Sequence, residues 1–169
     1  VMIEHLPDRL DLYAMAEAGR VLRGRVKLVS LPRVLPLLVS DEGELEVMLE
    51  LGKDEDGTRT LCGTVSGRLV MQCQRCLESM EYPLATQFRL GLVFSQEEAG
   101  ELTDRYEPLL VTREPTHIAE VVSDEVLLAL PIVPMHDDQS ECRALSEDYV
   151  PVKDERENPF AVLAQLKQK

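Results

Sequence analysis

The clearest periodicity in the chain lies in residues 44–51, where Leu45, Val47, Leu49 and Leu51 alternate with Glu44, Glu46, Met48 and Glu50. A period of two sends the leucines and valine to one face and the acids to the other, as a half-buried strand requires. Lys53-Asp54-Glu55-Asp56-Gly57 follows, a polar turn whose Asp-Gly step suits a hairpin. The return strand puts Leu61, Gly63, Val65, Gly67, Leu69 and Met71 on one face, and its interior glycines predict bends or a bulge. A third strand spans 79–94, with Met80, Tyr82, Leu84, Phe88, Leu90, Leu92 and Phe94 sharing a face. Between the second and third strands stands Gln72-Cys73-Gln74-Arg75-Cys76, so this CxxC falls at a hairpin tip rather than at the start of a helix.

Weaker patterns fill in the rest. Residues 7–19 read as a short helix opened by Pro7 and stopped by Gly19, and residues 22–30 as a strand with interleaved basic side chains. The apolar run from Leu31 to Val39 contains Pro32 and Pro36, which exclude a central strand and leave a partly helical or edge segment. Residues 95–104 are acidic and predict a loop. Residues 116–130 predict a helix, with Thr116 as N-cap, an apolar stripe of Ile118, Val121, Val122, Val126 and Ala129, and Pro131 and Pro134 beyond its end. From His136 to Glu157, eight acids face three bases with little apolar content, the composition of a flexible linker. Asn158 and Pro159 then open a last short helix. The expected architecture is α+β: a curled antiparallel sheet or partial β-barrel with one or two packed helices and an acidic C-terminal tail. Residues 1–135 form the globular domain, 136–157 the linker and 158–169 the terminal helix.

The 169 residues suit one domain, and with aromatics at 4% and no Trp the core must be aliphatic. The net charge of −13 argues against a generally basic nucleic-acid binder, since phosphate contact rests on Lys and Arg. The arrangement changes that picture. Residues 94–169 carry 17 acids against 7 bases, whereas residues 1–93 carry 14 against 11. Ala18 to Ser40 contains no acid but holds Arg20, Arg23, Arg25, Lys27 and Arg33, and Gly57 to Leu77 holds Arg59, Arg68 and Arg75, again without an acid. If the two stretches lay side by side on one sheet, Arg20, Arg23, Arg25, Lys27, Arg59, Arg68 and Arg75 would form a phosphate-binding stripe. The plainer reading is a solvated strand face whose cations balance Glu44, Glu46 and Glu50. Phe88, Phe94 and Tyr82 fall on the apolar strand face and read as core, while Tyr13, Tyr106 and Tyr149 are scattered; any RNA contact is then expected through backbone or shape rather than base stacking.

Cys73 and Cys76 have the spacing and hairpin setting of a zinc knuckle, and His136 and Cys142 are the best candidates to complete four ligands, making zinc the candidate cofactor. Cys62 is poorly placed for this, being on the other parity of its strand. A thioredoxin-like redox role is weaker, because the flanks are strands and no helix N-terminus lowers the thiol pKa. No Gly-rich phosphate loop, GxSxG or HExxH occurs, and the three His are far apart, so neither an enzyme nor a small-molecule substrate is expected. No window reaches the roughly 18 apolar residues of a membrane span, and the first residues lack the order of a signal peptide, which predicts a cytoplasmic protein with no membrane partner.

Three stretches together resemble a known family: VMQCQRCLESMEYPL at 70–84, DEVLLALPIVPMHD at 124–137 and NPFAVLAQLK at 158–167, with RYEPLLV at 105–111 between the first two. Their identity and order resemble the bacterial YceD family, whose members are described as large-subunit (23S) ribosomal RNA accumulation proteins. Some members carry further cysteines after the LPxxP segment, where this chain offers His136 and Cys142. The resemblance implies a non-enzymatic cytosolic factor promoting synthesis, processing or accumulation of large-subunit rRNA. Its implied partners are that rRNA or a pre-ribosomal particle, with a ribosomal protein as a further candidate. It supplies no catalytic residues. The competing expectation is an adaptor whose C-terminal helix docks a protein through Phe160, Leu163 and Leu166 without touching RNA.

Overall fold

A computed structural model describes residues 2–138 and Cys142. In chain order it contains β1 (Met2–His5), β2 (Arg9–Leu10), α1 (Leu12–Glu17), β3 (Val21–Lys27), β4 (Glu44–Lys53), β5 (Arg59–Gln72) and β6 (Ser79–Val93). There follow α2 (Gln96–Glu101), β7 (Glu107–Leu110), β8 (Thr116–His117) and α3 (Ile118–Ala129). Six strands form one sheet in the order β1-β3-β4-β5-β6-β7, and β2 pairs with β8 in a separate two-stranded ladder.

The four middle strands are antiparallel, as the alternating pattern predicts, but the edge strands β1 and β7 pair in parallel with β3 and β6. The sheet is therefore mixed rather than antiparallel, and its two edges do not meet, so no barrel closes. The reason is visible in the connections. The link from β6 to β7 crosses back through α2, and the link from β1 to β3 through α1, so each edge strand runs the same way as its neighbour.

Alternation decides the layers. Leu45, Val47, Leu49 and Leu51 of β4 are buried, as are Leu61, Val65, Leu69 and Met71 of β5 and Met80, Leu84, Phe88, Leu90 and Leu92 of β6. Helix α1 packs over β4 and β5, and α3 over β6, closing this inner face. Residues 28–38, two short 3-10 turns, bury Leu28, Leu31 and Val34 in the same core. Arg33 of that segment pairs with Asp124 of α3, tying the two coverings together. The outer face, carrying Glu46, Glu50, Ser66, Arg68 and Gln72, is exposed.

Several local expectations change. The β5 glycines make no bulge: its register with β6 runs unbroken through thirteen pairs from Thr60↔Gly91 to Gln72↔Ser79. Instead they make room. A Cβ on Gly63 would lie 2.1 Å from Cζ of Phe88, and one on Gly67 would lie 2.6 Å from Cδ2 of Leu45. The acidic segment after β6 holds helix α2, whose N-cap Ser95 accepts from the Glu98 amide. The first helix is confined to Leu12–Glu17 because Asp11 caps it and Arg9–Leu10 is drawn into pairing with β8. Thr116 lies in β8, so His117, not Thr116, precedes α3. The strand read over 22–30 ends at Lys27. Phe94 follows the last strand residue and has left the apolar face, with 44% of its surface exposed. Residues 139–141 and 143–169, which hold most of the expected acidic linker and the expected terminal helix with Phe160, Leu163 and Leu166, lie outside the described residues.

Candidate metal centre and charged sheet face

The turn joining β5 to β6 is built around its first cysteine. Cys73 N–H donates to Glu78 O at 2.9 Å, and Leu77 N–H donates back to Cys73 O at 2.8 Å. Leu77 completes the reversal with a φ of 62°, the left-handed conformation that closes a tight turn. Both thiols consequently point inward, with Cys73 fully buried and Cys76 6% exposed.

The chain after α3 lies across this knuckle. Gln74 N–H donates to Pro134 O at 2.8 Å, and Arg75 Nη2 donates to His136 O at 2.9 Å. Arg75 Nε also donates to Cys142 Sγ at 3.1 Å. These contacts gather Cys73, Cys76, His136 and Cys142 until their ligand atoms all lie within 4.8 Å of one another. Cys73 Sγ stands 3.9 Å from Cys142 Sγ, and His136 Nδ1 stands 3.5 Å from both Cys76 Sγ and Cys142 Sγ.

These separations can be tested against a tetrahedral ion. With Zn–S of about 2.3 Å and Zn–N of about 2.0–2.1 Å, the tetrahedral edges are about 3.8 Å for S···S and about 3.6 Å for S···N. The three observed separations fall at those lengths, so the four side chains could hold a metal with little movement. Charge favours the same outcome. Burial opposes ionisation of Cys73, but the amides of Cys76, His136 and Arg75 outweigh it and pull the thiol down to about 5. The Glu78 amide favours the Cys76 thiolate, yet burial and the neighbouring thiols of Cys142 and Cys73 push Cys76 up. A divalent cation would relieve that mutual repulsion, which Arg75 alone offsets only in part. Cys62 lies on β5 away from the knuckle and belongs to no such group among the described residues.

The basic residues part company. Arg23, Arg25 and Lys27 project at every second position from the exposed side of β3, with Arg20 exposed just before them. Their stripe does not meet the second one, because β4 runs between β3 and β5 and sets Glu46 opposite Arg25 and Glu44 opposite Lys27. Arg25 pairs with Glu44 at 3.7 Å, and Arg68 with Glu81 at 3.6 Å, both largely exposed contacts. Arg59 is engaged elsewhere: it bonds Glu17, which also holds Lys53, and its guanidinium lies 4.2 Å from the centre of the Tyr13 ring. Arg75 is committed to the knuckle. Each of these long-range ties is invisible to a count of acids in a local window.

The sequence also offered no hint that Tyr13 and Phe94 meet. Their ring centroids lie 5.2 Å apart with planes tilted by 52°. Parity counting assigned Phe94 to the core, and only the end of β6 at Val93 frees it.

No helix among the described residues is long and apolar enough to cross a membrane. Comparison with known proteins points to one family. The model of the family "Large ribosomal RNA subunit accumulation protein YceD" matches residues 61–167. A Haemophilus influenzae protein bearing the same description is 32% identical over 148 residues, covering 82% of this chain and 83% of its own. No solved structure matches.

Proposed function

Because the chain belongs to the YceD family of large ribosomal RNA subunit accumulation proteins, we propose that it is a non-enzymatic, cytoplasmic factor for large-subunit rRNA that binds rRNA or a precursor particle. The observation that carries the contact reading is the run of Arg23, Arg25 and Lys27 along one exposed strand face, extended by Arg20. The carboxylates of β4 beside them make this a narrow, local contact rather than a broad basic surface. Exposed ion pairs such as Arg25–Glu44 are worth little, so a phosphate can exchange for the carboxylate at small cost. Arg68 offers a secondary contact two strands away; Arg59 and Arg75 serve structure.

Zinc is the metal best suited to the Cys3His knuckle, where it would be a closed structural site with no open coordination position. Its role here is to fix the β5–β6 turn and the residues crossing it.

Salt dependence tests direct contact. Affinity for isolated precursor particles should fall steeply with salt. Replacing Arg23, Arg25 and Lys27 together by Gln should flatten the slope of log affinity against log salt by about two, at about 0.7 per phosphate. An unchanged slope would refute the strand-face contact. An adaptor reading has one observation in its favour: Leu77 in the knuckle, and Ile132, Val133 and Met135 in the segment that crosses it, are exposed apolar residues. Crosslinking in cells, with identification of both RNA and protein partners, separates the two.

A further inference from the structure

We propose that Phe94 and Tyr13 form a stacking platform for an unpaired RNA base, with Arg113 taking the adjoining phosphate. This inference rests on the reading that the protein contacts RNA directly, and it adds a second site on a different part of the molecule from the β3 stripe.

The platform is built and braced. Phe94 keeps 44% of its surface exposed although it leans on Tyr13. The Tyr13 ring is held in turn by the Arg59 guanidinium, which is fixed by Glu17. Glu98 Oε2 accepts from the Phe94 amide at 2.8 Å and fixes the backbone beneath the ring. A ring set in place before binding loses little freedom when a base lands on it, which is what makes stacking effective.

The space beside the rings fits the ligand. A cavity of about 570 Å³ is lined by Asp11, Tyr13, Phe94, Thr112 and Arg113, within the range that accepts a small organic group such as a nucleotide. Arg113 is exposed and has no ion pair among the described residues. Asp11 has one carboxylate oxygen committed to the Ala14 amide at 2.9 Å. Its charge disfavours a phosphate on that side and directs the phosphate toward Arg113, leaving the base over Phe94. Stacking tolerates any base, because every base has a π-face.

The test uses the full chain and a labelled short oligouridylate, with an RNA duplex of equal length alongside. Phe94→Ala and Phe94→Leu should each weaken oligouridylate binding about five-fold or more, since Leu keeps apolar bulk but loses the ring face. Arg113→Gln should weaken it and flatten the salt slope by about 0.7. Duplex binding should be unchanged in all three variants, each should still unfold cooperatively with at most a small loss where the Phe94–Tyr13 contact is removed, and ultraviolet crosslinks should map to the peptides holding Tyr13 or Phe94. Wild-type binding with both Phe94 variants within about two-fold of it would overturn the platform while leaving direct RNA contact standing. If wild-type protein binds neither RNA nor precursor particles, the direct-contact reading itself falls.

Discussion

Gly63→Ala adds one methyl group, and its cost can be worked from the packing of β5 on β6. Gly63 sits directly across from Phe88 in the ladder. The new carbon would lie 2.1, 2.6 and 2.7 Å from three atoms of the Phe88 ring. The ring cannot withdraw freely, being 7% exposed and enclosed by the core. Nor can the strand, which is paired along both edges. Overpacking of this kind costs about 1–3 kcal/mol. Alanine recovers about 0.5–1 kcal/mol of the backbone entropy that glycine forfeits in a strand. The net expectation is a loss of about 1–2 kcal/mol, which lowers a urea midpoint by about 0.5–1 M at an ordinary slope. The decisive measurement is the double-mutant cycle with Phe88→Leu, followed by urea unfolding at one fixed zinc concentration, because a bound ligand shifts the midpoint by itself. Phe88→Leu carries its own cavity cost, but in its background Gly63→Ala should be neutral or stabilising, giving a coupling of about 1 kcal/mol or more. A single variant within about 0.5 kcal/mol of wild type, or strictly additive effects, would refute the claim that the glycine exists to seat the ring.

Three further outcomes are expected. Freshly purified protein should hold one zinc per chain; Cys76→Ser and Cys142→Ser should each abolish it and lower the unfolding temperature, and cobalt substitution should give thiolate-to-metal charge-transfer absorption, whose absence would count against the Cys3His site. Burial, reinforced by the charges of Glu107 and Asp124, raises the pKa of Glu125. The folded state therefore binds this proton more readily than the unfolded one, so the penalty is absent below the ordinary carboxylate pKa and grows as pH rises through the folded value. Glu125→Gln should accordingly stabilise the protein at neutral pH and leave it unchanged in acid, as urea unfolding at the two pH values will show. Leu77 holds a positive φ without being glycine; Leu77→Gly should raise stability by a few tenths to about 1 kcal/mol in thermal unfolding, and a loss would mean that its exposed side chain has a packing role.

How far the sequence carries the fold depends on how local each cause is. The strands β4, β5 and β6 were legible because alternation repeats over eight or more residues, and the CxxC followed as a turn from their placement. Strand β7 was not, because Glu107-Pro108-Leu109-Leu110 is short, contains a proline and lacks alternation; its pairing is decided by β6. The cysteines and histidine of the knuckle could be named from residue type, but their convergence, with Cys76 and His136 60 positions apart, is a tertiary event. The cations show the converse: acid-free windows located Arg59 and Arg75 correctly in the chain and misjudged their freedom, since Glu17 and Cys142 lie far away in sequence.

The knuckle also fixes an order of events during synthesis. Cys73 and Cys76 leave the ribosome early, on a hairpin whose ladder is local and can form at once. The pocket they face cannot be completed until Cys142 has emerged, after β7 and α3 have been made. Closure of the four-residue cluster therefore comes later than the hairpin that supplies its first two members. Until then Cys73 and Cys76 lack the two residues that face them in the folded protein.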